Sequence, residues 1–437
     1  MERLLIDMPV MLIVIGFGLT VMTFILNRFD NINLSYGLQL FVMAFGAGLL
    51  LLFRLIIKGT RLEQKLWIEN KIINFLTLNN LYDEVAHPTK QGKKLLESSA
   101  SISYSLNEDD GVFKVRTLKS GKAQYDRFMN DSSDLLVSTF GMDLWHIIDT
   151  NNYREFHLLL ENMPRLILTS NNNDSYSVFD RDMNLITTSS VGQVPLAERI
   201  TWNYRDNPHA LIAGGTGTGK TIFIFYLIRC LLEQRSDLFI IDPKRSDLGA
   251  TMKDLIGSDR VAETSGQIAG LLRQANDLMN ERYESFITYD NYREGNDFAD
   301  YGVPPLFIVF DEVAAAMSEA SKDIASEIDS YMKQIVMKGR QAGVFMILTT
   351  QQPNAKTIST DIRDQLGLRV GLGTLSNEAE RMVFGSFDSD LTSSVEKGGG
   401  HVFLDGQGWL EPRKFTTPYV NMLEYDFKDD VRKILNR

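Results

Sequence analysis

The chain is poor in the residues that build metal and redox centres. Among its 437 residues are one cysteine, five histidines and four tryptophans. The single thiol, Cys230, excludes an internal disulfide and any cysteine-cluster metal site. It falls on an apolar segment read as helix, where a buried, inert thiol is expected. His146 and His157 lack partners at metal-binding spacing and read as structural. Basic charge is also in deficit: 45 Lys and Arg against 56 Asp and Glu leave a formal net charge of -11. That balance excludes a simple basic coat for nucleic acid. A local basic surface stays open, because binding depends on where charge sits rather than on its sum.

Charge is missing altogether from residues 9–26, PVMLIVIGFGLTVMTFIL, a run that would span about 27 Å as a helix. A second run, 36–57, carries only Arg54 near its end, and the polar NRFDNINLS joins the two. A cleaved signal peptide fits poorly, since the apolar stretch is too long, Glu2 and Asp7 precede it, and a second span follows. Core helices apolar on every side are rare in a soluble domain. The expectation is therefore a two-helix transmembrane hairpin, residues 1–57, held in the membrane through 9–57. Arg54, Lys58, Arg61, Lys65 and Lys71 follow the second span, against Arg28 alone in the loop. This asymmetry places both termini in the cytoplasm and the chain, as a multi-pass protein, in the cytoplasmic membrane.

Residues 58–94 read as a helical stalk and linker, with Leu62, Leu66, Ile72, Ile73 and Leu76 among charges. From 95 to 195 short alternating runs predict a small α+β domain. SASISYSL and GVFKVRTL form a hairpin across NEDD, 133–148 reads as helix, and 155–169 and 176–188 read as strands. From 196 to 437 strand and helix patterns alternate. Expected strands are 209–213, 238–242, 306–311, 344–350 and 367–372, with helices at 220–233, 265–288, 318–341 and 356–365. Apolar strands spaced by helices indicate an α/β domain with a parallel sheet covered on both faces. A hairpin of HVFL and WLEPRKF follows EKGGG, which reads as a tight turn because no helix opening on Lys-Thr succeeds it.

The chemistry concentrates at ALIAGGTGTGKT. Gly214, Gly219, Lys220 and Thr221 satisfy G-x-x-x-x-G-K-[ST], between an apolar strand and a helix. In such a loop Gly214, Gly215, Thr216, Gly217, Thr218, Gly219, Lys220 and Thr221 wrap phosphate oxygens with backbone N–H groups, aided by the helix N-terminus. Lys220 reaches the β- and γ-phosphates of ATP, and the Thr221 hydroxyl ligates Mg2+. A second apolar strand, LFIVF, ends in Asp311 and Glu312. Asp311 suits the Mg2+ water shell, and Glu312 suits removal of a proton from an attacking water, which points to hydrolysis rather than passive sensing. Gln351, ending VFMILTT, is placed to sense the γ-phosphate. Arg340, Arg369 and Arg381 are candidates for a cation supplied late, often by a neighbouring subunit.

Together these segments resemble the FtsK/SpoIIIE/HerA family of ring-shaped DNA-translocating ATPases. The likeness runs over about 195–415: NPHALIAGGTGTGKT, then LFIIDPKRSDL with Asp242, Pro243 and Lys244, then KGRQAGVFMILTTQQP, then LGLRVGLGTLSNEAERMVFG. It implies a RecA-like core, a homo-oligomer (a hexamer) around DNA, and ATP between subunits with Arg340 as first choice of trans-acting finger. The family's Gln-Arg-Pro is Gln-Gln-Pro here, at Gln351, Gln352 and Pro353, so that arginine's role has no carrier. A C-terminal winged-helix reader is not expected, because the chain ends soon after the core. Nor is the helical insertion of VirD4-like proteins, for which the stretch between phosphate loop and Asp-Glu strand leaves little room. A two-span anchor, small domain and FtsK-type motor are most similar to coupling proteins of conjugative elements and plasmids of Gram-positive bacteria. These pass DNA, with its relaxase complex, to a type IV secretion channel. Chromosome translocation and a protein-secretion ATPase remain alternative readings. A nucleotide-gated anchor is disfavoured by Glu312, and an ABC transporter by the missing LSGGQ signature.

Overall fold

The computed structural model describes residues 62–86, 94–107, 111–130, 132–160, 165–170, 176–286, 292–353, 358–385, 391, 396–421 and 423–436. The apolar segment 9–57 lies outside them. Among the described residues no helix is long and apolar enough to cross a membrane. The chain divides into two units, residues 1–97 and 98–437. In the first, α1 (Leu62–Leu78) is followed by β1 (Tyr82–Ala86), which pairs with β2 (Lys94–Ser99). Ile68, Ile72 and Phe75 line one buried stripe of α1, at the spacing of a helix face.

The second unit opens with a four-stranded antiparallel sheet of order β3-β4-β6-β5. Its strands are β3 (Ile102–Asn107), β4 (Val112–Leu118), β5 (Leu144–Asp149) and β6 (Tyr153–Leu159). Two short helices, α2 (Ala123–Asn130) and α3 (Ser133–Phe140), lie between β4 and β5. The hairpin expected across NEDD is present as β3 and β4, paired from Ile102 with Thr117 to Asn107 with Val112. The helix expected over 133–148 stops at Phe140. Gly141 takes φ 67° and its N–H bonds the Val137 carbonyl, ending the helix in a left-handed cap. Leu144–Asp149 then pairs along β6, burying Trp145 and Ile147 on alternate positions. A second small sheet, β20-β7-β8-β9, joins β7 (Ile167–Ser170), β8 (Tyr176–Phe179) and β9 (Leu185–Ile186) to a strand from the far end of the chain. A bulged hairpin, β10 (Gln193–Ala197) and β11 (Ile200–Asn203), leads into the α/β domain.

The α/β domain is built on an eight-stranded sheet of order β14-β13-β15-β16-β12-β17-β18-β19. In chain order it runs β12 (Ala210–Gly214), α4 (Lys220–Glu233), β13 (Asp237–Ile241), α5 (Asp247–Ile256), β14 (Val261–Ala262), α6 (Ser265–Phe286) and β15 (Leu306–Phe310). It continues with α7 (Val313–Glu319), α8 (Lys322–Ala342), β16 (Val344–Thr350), α9 (Thr360–Arg363), β17 (Leu368–Leu372), α10 (Asn377–Phe384), β18 (Gly399–Leu404) and β19 (Arg413–Thr416). β20 (Tyr419–Val420) and α11 (Phe427–Leu435) close the chain. β12 to β17 are parallel where they pair, and β18 and β19 add an antiparallel edge. The sheet is thus mixed and largely parallel.

Strands buried on both faces read as unbroken apolar runs, and β15 and β16 are buried at every position. Alternate residues feed two cores. Ala210, Ile212, Phe307 and Val309 pack with α4, α5 and α11 on one face. Leu211, Ala213, Ile308 and Phe310 pack with α6, α8 and α10 on the other. Because the strands from β12 to β17 run parallel, their C-terminal ends share one edge, and the loops that leave them converge there.

Candidate functional site

The loop after β12 carries Gly214 to Gly219 into the first turn of α4. Gly217 and Gly219 hold φ at 84° and 99°, a region that disfavours any side chain. Gly214 is required for a different reason: a Cβ there would stand 2.8 Å from Thr218 Oγ1 and 3.1 Å from Leu372 Cβ. The Thr218 hydroxyl is turned inward, donating to the Gly215 carbonyl at 2.8 Å. Thr216 and Gly217 stand exposed at the crest, and Thr221 is exposed on the first helical turn. Lys220 is 8% exposed. Burial pulls its pKa down, against the opposing pull of Asp311 and Glu312.

β15 delivers those two carboxylates to the same edge. Lys220 Nζ lies 3.9 Å from Asp311 Oδ1 and 3.8 Å from Glu312 Oε2. The adjacent strand end fixes both acids. Thr349 Oγ1 donates to Asp311 Oδ1 at 2.6 Å, while Thr350 Oγ1 and the Gln351 N–H donate to Glu312 Oε1 at 3.1 and 3.2 Å. Glu312 itself adopts φ 55°, unusual for a residue with a side chain. That conformation costs of order 1–3 kcal/mol and persists only where its surroundings enforce it.

One partner of Glu312 lay outside the site drawn from sequence. Lys244 Nζ donates to Glu312 Oε2 at 3.0 Å. The Asp-Pro-Lys turn exists to present it. Asp242 is fully buried at the end of β13, and its Oδ2 accepts from the Ser246 N–H, the Ser246 hydroxyl and the Gly249 N–H at 2.7, 2.8 and 3.0 Å. These bonds tie the first turn of α5 to the strand, and Lys244 projects from the tie. Burial pushes the Glu312 carboxyl up, but the Lys244 bond, the Gln351 N–H and the two lysine charges outweigh it and hold the carboxyl below its ordinary value.

Of the remaining expected residues, Gln351 stands at this edge but meets Glu312 through its backbone, its side chain being exposed. Arg381, on α10 just past the end of β17, is exposed on the same edge and makes no ion pair among the described residues. Arg340 and Arg369 are at the opposite edge. Arg340 ends α8 just before β16 begins, and its Nε donates to the Arg205 carbonyl at 2.6 Å. Arg369 sits near the start of β17, over the Phe403 ring and 3.8 Å from Asp405. His146 and His157 stack edge to face in the small sheet, and His157 Nε2 meets Glu155 Oε1 at 2.7 Å, a structural pair.

The donor set suits Mg2+. Thr221 and Asp311 offer hard oxygens, and no cluster of three or more His, Cys, Asp or Glu side chains able to hold a metal gathers among the described residues. Mg2+ takes that sparse arrangement, one or two carboxylates with the rest of its shell from phosphate and water.

Comparison with known proteins fits this geometry. Residues 179–302 match the FtsK/SpoIIIE family model. The FtsK domain-containing protein YdcQ of Bacillus subtilis is 37% identical over 244 residues, 56% of this chain and 50% of that protein. DNA translocase FtsK of Lactococcus lactis is 26% identical over 222 residues, 45% of this chain and 28% of that protein. The chain thus spans half or less of the length of these relatives. Among solved structures, the pCW3 conjugation coupling protein TcpA with ATPγS is similar at a TM-score of 0.49 and 15% identity, over 78% of this chain and 93% of that one. The family match holds the phosphate loop, the paired carboxylates stand just past it at the end of β15 in the same sheet, and over this stretch the chain is similar to FtsK/SpoIIIE-family ATPases.

Proposed function

We propose that the protein is an ATP-driven DNA translocase. The observation that carries this reading is the placement of Glu312: buried, fixed by Thr350 and Gln351, and 3.8 Å from the phosphate-loop lysine. In this reading Lys220 binds the β- and γ-phosphates, and Thr221 and Asp311 hold Mg2+, which supplies charge neutralisation on the phosphates. Glu312 accepts the proton of the attacking water. DNA is the proposed cargo because relatives that share the motor are named DNA translocases. The finer assignment is a conjugative coupling protein, held in the cytoplasmic membrane through 9–57 and working as a hexameric ring. It delivers DNA and its relaxase to a type IV secretion channel. Two features support it: the two long apolar runs of the N-terminal segment, and a described path from α4 to β15 that holds only strand and helix crossovers.

The test is ATP hydrolysis by the purified protein with single-stranded DNA, with double-stranded DNA and with neither, over a series of salt concentrations. Stimulation that fades steeply as salt rises is the expected result, since phosphate contacts weaken with ionic strength. Hydrolysis indifferent to DNA at every salt concentration refutes the DNA reading and favours a motor that moves polypeptide.

A further inference from the structure

The Glu-Lys-Gly-Gly-Gly turn, 396–400, is more than the start of a hairpin. It lies directly on the phosphate loop. The Gly398 N–H donates to the Thr218 carbonyl at 2.8 Å, and the Gly373 N–H donates to the Gly399 carbonyl at 2.8 Å. A Cβ on Gly219 would stand 3.0 Å from Gly398 N and 3.7 Å from Lys397 Cγ. The Lys397 side chain therefore runs alongside the last glycine before Lys220. It is exposed, and its ammonium makes no ion pair among the described residues.

The backbone of this turn is pinned from outside the motor sheet. Arg165, two residues ahead of β7, donates from Nη1 to Glu396 Oε1 at 2.8 Å, from Nη2 to the Lys397 carbonyl at 3.3 Å and from Nε to the Thr417 carbonyl at 3.0 Å. Its guanidinium also lies over the Tyr419 ring. Gly398 itself holds φ 85° and has no room for a side chain, which would run into the Thr417 hydroxyl and Arg165 Nη2. A loop of glycines is thus held close against the phosphate loop by a three-way arginine.

Strand order decides which part of a nucleotide Lys397 faces. Asp311 and Glu312 follow β15, on one side of β12; the turn precedes β18, on the other side. β18 runs antiparallel, with Gly400 opposite Leu372, so its start lies at the phosphate-loop edge. With the γ-phosphate directed at the two carboxylates, the chain of phosphates leaves the loop on the side of β17 and β18. We infer that Lys397 is a second phosphate-binding cation, acting on the α- and β-phosphates, and that Arg165 is the positioning residue that holds it there. The inference rests on the nucleotide site proposed above. It makes Arg165, in the connection between the two small sheets, part of the machinery that reads nucleotide.

The experiment uses the full chain in detergent micelles and titrates ADP and ATP by competition against a fluorescent ATP analogue. Lys397→Gln is expected to weaken ADP and ATP alike, by about tenfold, the scale of one charge-assisted contact. Lys397→Arg is expected to restore most of that loss. Arg165→Ala is expected to weaken both nucleotides in the wild-type background and to add nothing in the Lys397→Gln background, because it acts through Lys397. ADP affinity unchanged in Lys397→Gln overturns the inference. Losses from the two substitutions that sum in full overturn the positioning role of Arg165. A wild-type protein that binds neither nucleotide overturns the site itself, and the inference falls with it.

Discussion

Lys244 offers the sharpest test of how Glu312 is controlled. Glu312 Oε2 receives Lys244 at 3.0 Å and faces Lys220 at 3.8 Å, while Oε1 is held by Thr350 and Gln351. Lys244→Met removes the largest influence opposing burial, so the Glu312 pKa rises. Hydrogen bonds to charged groups contribute about 1.5–3 kcal/mol when well shielded. The Lys244 side chain is 41% exposed, so solvent screens the pair and the lower end applies, about 1.5 kcal/mol. The sign follows from which form works. A base must be ionised, so raising its pKa moves the acid limb of the kcat/KM profile to higher pH. The assay is a pH–rate profile of ATP hydrolysis for wild type, Lys244→Met and Lys244→Arg, the last expected to keep the wild-type limb. A uniform drop at every pH, with the limb unmoved, would refute the claim that Lys244 tunes Glu312. Linkage gives a second consequence of the same shift. A carboxyl whose folded pKa is depressed stabilises the fold above its unfolded pKa, and that contribution is lost as pH falls through the folded value.

Two further substitutions probe separate links in the chain from sequence to function. Glu312→Gln keeps the shape of the site and removes the base; turnover is expected to fall by about two to four orders of magnitude while ATP binding persists, checked by single-turnover hydrolysis beside nucleotide titration. Asp430→Ala tests the attachment of the C-terminal helix. Arg229 on α4 and Asp430 on α11 are 1% and 2% exposed and meet at 2.8 Å, with Tyr425 on the same carboxylate oxygen at 2.9 Å. Removing the acid leaves a buried guanidinium with Glu233 as its remaining carboxylate, at a cost of about 3 kcal/mol, read by chemical denaturation. A loss below about 1 kcal/mol would mean that the pair behaves like an exposed one.

Where the fold was legible, one local signal sufficed. The apolar runs at 210–214, 306–310 and 344–350 are buried on both faces, so their identity does not depend on partners yet to be found. The readings failed where a boundary depended on one backbone dihedral or on a distant partner. The helix expected over 318–341 is present as α8 but starts at Lys322, because Ala320 leaves helical geometry and Ser321 caps α8 by accepting from the Ile324 N–H. The apolar residues of LWHIID suit either period, and its pairing along β6 makes it strand. α5 and α11 were passed over, one behind an Asp-Pro turn and the other in a short polar tail, although Asp426 caps the second by accepting from the Asp429 N–H.

The candidate site divides along the same line. Gly214 to Thr221 occupy consecutive positions, and Asp311 and Glu312 end an unmistakable strand, so spacing alone could find them. Lys244, Arg165 and Lys397 act through the order of the sheet. β13 lies beside β15, with Ile241 opposite Phe310, so Lys244 reaches Glu312 across 68 positions of sequence. Nothing in DPKRSDL announces that neighbour; only the strand order does. The turn at 396–400 is brought to the phosphate loop in the same way, because β18 reverses beside β17 and starts where β17 ends. A residue whose role is to tune a carboxylate needs no motif around itself, only the right place on the sheet edge. The three arginines make the converse point. All three are cations of the right chemical class, yet the sheet sets Arg381 on the phosphate-loop edge and Arg340 and Arg369 on the other. Within one chain, then, only Arg381 shares an edge with the phosphates. A role for Arg340 or Arg369 requires a neighbouring subunit to turn the far edge of its sheet toward this one.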